Sequence, residues 1–145
     1  MFETMRRRAA IVAIGAALLA TGCASSGTDG SGTSATASAG GTLLAPARFA
    51  DVLADEQTFV INVHVPDEGS IEGTDAAIPF DRIEARQADL PADRGTPLAV
   101  YCRSGSMSAE AVASLTGLGY TDIVDLDGGM RAWTAEGLPL LPTGD

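Results

Sequence analysis

The feature that most constrains the fold is an alternation. From about Pro46 to Pro142, short runs of branched and aromatic residues take turns with stretches of helical spacing. "TFVINVHV" (Thr58–Val65), "AAIPF" (Ala76–Phe80), "PLAVYC" (Pro97–Cys102) and "TDIVDL" (Thr121–Leu126) read as strands, rich in side chains that suit a pleated surface. "ARFADVLA" places Phe49, Val52 and Leu53 at helical spacing, with Pro46 suited to a first turn. "DRIEARQADL" (Asp81–Leu90) is helix-like up to the break at Pro91. Ser108–Leu118 is helical with Val112, Leu115 and Leu118 on one side, and Gly119 is its stop. "GGMRAWTAEG" is a short helix with glycine at each end. Strands alternating with helices predict an α/β domain, a parallel sheet covered by helices. A stretch of roughly one hundred residues supports one modest core. In such sheets sites collect at the carboxyl ends of strands, where Cys102 stands.

The residues before this domain read as an address. Arg6, Arg7 and Arg8 make a positive start, and "AAIVAIGAALLA" (Ala9–Ala20) is apolar but shorter than the roughly 20 residues that span a bilayer. "ATGC" (Ala20–Cys23) then sets small residues before a cysteine. The segment resembles a bacterial lipoprotein signal, with Ala20 where leucine is commoner. The resemblance implies cleavage of residues 1–22, lipidation of Cys23, and an extracytoplasmic domain anchored to a membrane of the cell envelope. Residues 23–45 then form a tether rich in Ser, Thr, Gly and Ala, expected to stay disordered, and residues 46–142 form the domain. An ordinary cleaved signal with an incidental cysteine is the plainer alternative.

Nine arginines, no lysine and nineteen acids give a formal charge of −10. That balance excludes nucleic acid as a partner and electrostatic docking to anionic lipid. Solubility is the plain reading of the acidity. Two cysteines are too few for a disulfide framework.

The chemistry-bearing stretch is "VYCRSGSMSAE" (Val100–Glu110), a strand, a cysteine, a tight loop and a helix start. Gly105 can take backbone angles closed to other residues. The loop from Arg103 to Met107 can turn its amides inward as an anion nest, and the following helix adds its positive end. Both favour thiolate over thiol, and cationic neighbours such as Arg103 act the same way. Ser104, Ser106 and Ser108 offer hydroxyl donors, and Ser106 or Ser108 can cap the helix. A small, inert, buried strand-end residue is the structural alternative for Cys102.

"YCRSGSMSAEAV" followed by "LDGGMRAW", with "VINVHVPDEGSIEGTDAAIP" upstream, resembles the rhodanese (thiosulfate sulfurtransferase) domain. The resemblance implies a central, mainly parallel five-stranded sheet flanked by helices. It also implies catalysis by Cys102, with Arg103, Ser104, Gly105, Ser106, Met107 and Ser108 as the substrate-binding loop. The thiolate would take a sulfane sulfur from thiosulfate, a polysulfide or a persulfide. The Cys102 persulfide would then pass it to cyanide or a thiol, without metal or organic cofactor.

Three departures from the family pattern involve four positions. Met107 stands where family loops often carry arginine; it is read first as a packing residue, and its lack of charge points to a donor less anionic than thiosulfate. Asn62 and His64 replace an aspartate and an arginine, consistent with joint loss of an ion pair. His64 would serve as a general base if the fold brought it near Cys102, but is read first as filling its strand end. Ser70 replaces a histidine in a loop expected to be structural. Trp133 is expected to anchor the last helix, and Gly128 and Gly129 to bring a turn close to the active loop. A cysteine phosphatase needs an arginine six places after the cysteine, and Ser108 stands there. The remaining alternative is a non-catalytic binding, sensing or sulfur-carrier module.

Overall fold

The computed structural model describes residues 37–38 and 40–143. The signal segment, Cys23 and most of the tether lie outside the described residues.

Among the described residues six strands form one sheet: β1 (Ala37–Ser38), β2 (Gly41–Leu44), β3 (Phe59–Asn62), β4 (Ala76–Ala77), β5 (Leu98–Tyr101) and β6 (Ile123–Leu126). Their order is β1-β2-β6-β5-β3-β4. From β2 to β4 all neighbours are parallel, and β1 pairs antiparallel with β2 at the edge. The expected five-stranded parallel sheet is therefore present, with a two-residue strand added. Three helices among the described residues flank it: α1 (Pro46–Leu53), α2 (Ser106–Gly117) and α3 (Gly129–Ala135).

Strand parity sorts the core into two layers. Leu98, Val100 and Cys102 face the α2 side with Ile61, Ile123, Ala111, Val112 and Leu115. Ala99 and Tyr101 face the other way, with Phe49, Val60, Leu126, Met130 and Trp133. Trp133 anchors α3 as expected: it is buried, its ring meets Phe49 edge-on at 6.4 Å, and its Nε1 donates to the Pro139 carbonyl at 2.9 Å. Val112 and Leu115 are fully buried and Leu118 packs beside them, the predicted face of α2.

Two expectations are corrected. Strand β2 lies inside residues 23–45, so the end of that stretch is sheet rather than disordered tether. Its polar composition hid a strand that contributes mainly backbone: Thr42, Leu43 and Leu44 pair with Val124, Asp125 and Leu126. Gly41 passes beneath α2, where a Cβ would lie 2.8 Å from Val112. The helix expected over Asp81–Leu90 is instead two 3-10 turns, Phe80–Arg82 and Gln87–Asp89. Ile83 and Leu90 are the buried side chains in that stretch, too few anchors to offset the cost of nucleating an α-helix.

Candidate active site

Cys102 follows the last residue of β5, and α2 begins four residues later. Its residue is 1% exposed, with the sulfur on the α2 side of the sheet. The amide of Gly105 donates to Sγ at 3.0 Å, and the Ser108 hydroxyl lies 3.6 Å from it. Gly105 is the N-cap of α2 with φ of +100°, in the left-handed region, and that twist turns its amide back toward the sulfur. Ser108 is fully buried and donates to the Gly105 carbonyl at 3.1 Å. Neither Ser106 nor Ser108 caps the helix, because no side chain does.

The loop is clamped from below by the start of α3. The Met130 amide donates to the Cys102 carbonyl at 2.9 Å, and the Arg131 amide to the Arg103 carbonyl at 3.0 Å. Gly128 and Gly129 both have positive φ, +70° and +59°, which bends the chain into that contact. This is the close approach expected of the glycine pair.

On the open side stands an acid that the sequence reading did not single out. Glu68 bonds His64 Nε2 at 2.9 Å through one oxygen and meets Arg103 Nη1 at 3.2 Å through the other. The Arg103 charge is thus directed to Glu68 rather than to the sulfur. The loop carrying Glu68 is held by Tyr101, whose hydroxyl accepts from the Ile71 amide at 2.9 Å and bonds Thr74 Oγ1 at 2.7 Å. Burial raises the Tyr101 pKa above its ordinary value, and those two bonds oppose the shift. A cavity of about 300 Å³ borders this side, lined by Glu68, Arg103, Met130, Arg131, Thr134 and Leu140. A larger one of about 370 Å³, lined by Arg48, Asp55, Thr58, Pro97 and Asp122 among others, opens at the opposite ends of the strands, away from the thiol.

The chain matches the Rhodanese-like domain family over residues 45–136. The chain belongs to that family. It is similar to a sulfurtransferase of Allochromatium vinosum, 36% identical over 97 residues that cover 65% of this chain and 85% of the relative. It is also similar to the thiosulfate sulfurtransferase GlpE of Pseudomonas savastanoi, 35% identical over 81 residues, 56% of this chain and 67% of that one. Among solved structures, a rhodanese-related protein from Thermoplasma volcanium superposes with a TM-score of 0.58 at 32% identity, covering 68% of this chain and 95% of that one.

Within the rhodanese-like domain, the residues singled out from sequence sort into three groups. Cys102, Gly105 and Ser108 meet at the sulfur. Arg103 borders the cavity, while Ser104 and Ser106 are exposed and make no bond to Sγ among the described residues. Met107 packs against the α2-side core, the packing role read for it. Asn62 fills its strand end with local bonds: Nδ2 donates to the Gly69 carbonyl at 3.1 Å, and Oδ1 accepts from the His64 amide at 3.0 Å. His64 is engaged with Glu68 and makes no bond to the sulfur. Ser70 bridges Leu141 through its backbone, a structural loop as expected. The sequence signal for Glu68 lay in its spacing, four residues after His64.

Asp125 was also missed. It is fully buried on β6, and neither carboxylate oxygen has a hydrogen-bond partner among the described residues. Burial pushes its pKa up from 3.8 to about 6; the nearby Ser108 hydroxyl and the Leu126 amide oppose that rise, and Asp127 adds to it. An acid among Ile123, Val124 and Leu126 was the available signal.

Proposed function

We propose that this domain is a sulfurtransferase that carries sulfane sulfur as a Cys102 persulfide. The observation that carries the reading is the Gly105 amide, 3.0 Å from the sulfur and aimed at it. A backbone amide is a donor suited to an anionic sulfur, since bonds to charged acceptors are the stronger kind. The thiolate attacks the outer sulfur of the donor, forming one S–S bond as another breaks. With thiosulfate the leaving group is sulfite. The outer sulfur of the persulfide, now anionic, sits under the same loop. A thiolate or cyanide then attacks it, and the Cys102 thiolate departs unchanged.

Arg103 and Arg131 border the neighbouring cavity and suit an anionic donor. The names of the Allochromatium and Pseudomonas relatives support the same chemistry. The likeness of residues 1–23 to a bacterial lipoprotein signal supports an extracytoplasmic domain held to a membrane through a lipidated Cys23, testable by fatty-acid labelling that Cys23→Ser abolishes.

One observation favours a binding or sulfur-carrier module instead: Cys102 is 1% exposed. Intact mass after incubation with thiosulfate or polysulfide separates the two. A gain of one sulfur that Cys102→Ala abolishes, and that cyanide or a thiol removes with turnover, is expected. An unchanged mass with every sulfane donor overturns transfer, and a stable persulfide without turnover leaves a carrier.

A further inference from the structure

We propose that Asp125 takes the proton of the Cys102 thiol through the Ser108 hydroxyl, as a positioning residue that sets where this proton rests. The inference builds on the sulfurtransferase reading of Cys102.

Strand parity puts Asp125 on the same face as Ile123, toward α2. Its partner in register on β5 is Val100, two residues before Cys102, and its partner on β2 is Leu43. Neither neighbour calls for an acid. From α2 the group near it is Ser108, which in turn lies beside the Cys102 sulfur, and the charge acting on it is Asp127, just past the end of its own strand. Asp125 is fully buried with both oxygens unpartnered. A charged carboxylate left so is unfavourable, and a proton relieves it. The same burial holds its pKa up at about 6, within reach of neutral pH.

Ser108 lies between the two acids. Its Oγ is 3.6 Å from the sulfur and donates to the Gly105 carbonyl at 3.1 Å. A hydroxyl has one hydrogen and two acceptor sites, so it can receive a proton from one side while releasing its own to the other. Rotation about its C–O bond swings that hydrogen from Gly105 to Asp125. The S–H bond then breaks as an O–H bond forms on Ser108, and the original Ser108 O–H breaks as one forms on Asp125. Ser108 ends unchanged, no electron leaves the site, and the single negative charge moves from carboxylate to sulfur.

The test is the rate of Cys102 alkylation by iodoacetamide on the full chain, followed by peptide mass from about pH 5 to about pH 10. The wild-type rate should rise through about pH 6, where the carboxylate becomes available as acceptor. Asp125→Asn keeps the shape without the base, and Ser108→Ala keeps the carboxylate without the relay. Each should lose the rise near pH 6 and react about a hundredfold more slowly at neutral pH, the low side of a positioned base. A wild-type profile without that rise overturns the proposal whether or not the variants fold. So does a variant profile that superimposes on wild type or moves to lower pH, since the carboxylate would then only repel the thiolate. A thiol that alkylates as expected yet takes up no sulfane sulfur overturns the sulfurtransferase reading alone.

Discussion

Gly129 has no room for a side chain, because the backbone of Cys102 and Arg103 occupies the place a Cβ would take. That Cβ would lie 2.5 Å from the Cys102 oxygen and 2.5 Å from the Arg103 carbonyl carbon. The opposing atoms are main chain, so no rotamer relieves the clash. The two amide–carbonyl bonds that tie α3 to the active loop need this approach. Gly129→Ala must push the loop and helix apart and also hold φ of +59° with a Cβ. Overpacking and left-handed strain together cost about 2–5 kcal/mol. The expected outcome is a lower melting temperature and loss of persulfide formation, read by calorimetry and intact mass. A variant that melts and reacts like wild type would show that the clamp does not position the sulfur.

Glu68 holds Arg103 and His64 at once, and both pairs lie on the rim of the site. The Arg103 and Glu68 side chains are 53% and 38% exposed, so the pair contributes no more than about 1 kcal/mol. Glu68→Gln should therefore leave stability within that range. Its effect should fall on binding, because it frees a guanidinium beside the cavity and removes a negative charge. The KM for thiosulfate should drop about two- to fivefold at low salt, and the difference should vanish near about 1 M salt, where screening reaches a few ångströms. A KM that rises instead would mean that Arg103 binds the donor only when Glu68 orients it.

Met107 and Arg131 test the donor from opposite directions. Met107 lies on the core with no charge to offer, and Arg131 lines the cavity beside Arg103. Met107→Arg should lower the KM for thiosulfate, with a loss of about 1–2 kcal/mol from the withdrawn packing. Arg131→Ala should raise that KM severalfold and leave the persulfide-forming rate at saturation intact. Steady-state kinetics with thiosulfate and with an uncharged polysulfide separate charge from packing, since the uncharged donor should respond to neither change.

The central strands were legible because each is a compact apolar run closed by a turn, as with "PLAVYC" and "TDIVDL", and the active loop because strand, cysteine, glycine and helix follow in order. The strand Gly41–Leu44 was hidden, since it gives the sheet backbone hydrogen bonds more than apolar surface, and composition reports only the latter. The Asp81–Leu90 segment shows the converse: helix-forming residues do not make a helix when Ile83 and Leu90 alone reach the core. Within the site, Cys102, Gly105 and Ser108 came from local spacing. Glu68 and Asp125 reach the same place from other elements, 34 residues before and 23 after the cysteine, so their meeting depends on sheet order, which no local pattern states.

Asp125 should also mark the pH dependence of folding. Its pKa is about 6 in the folded chain against an ordinary 3.8. A carboxyl with a raised folded pKa binds its proton more tightly when folded. Its contribution is therefore most favourable below about pH 4, falls as pH rises between about 4 and 6, and is flat above. At about 1.4 kcal/mol per unit, the loss across that window is roughly 3 kcal/mol. Other carboxylates act in the opposite sense on acidification, so the difference between two proteins is the clean measure. Asp125→Asn removes the titrating group and keeps the shape, so its stability advantage should grow from near zero at about pH 4 to as much as about 3 kcal/mol at neutral pH. Urea midpoints of wild type and variant across that range would show it, and parallel curves would mean that Asp125 keeps an ordinary ionisation in the folded chain. Such a gain in stability, set beside slower alkylation in the same variant, is the pattern of a buried acid kept for chemistry at the expense of the fold.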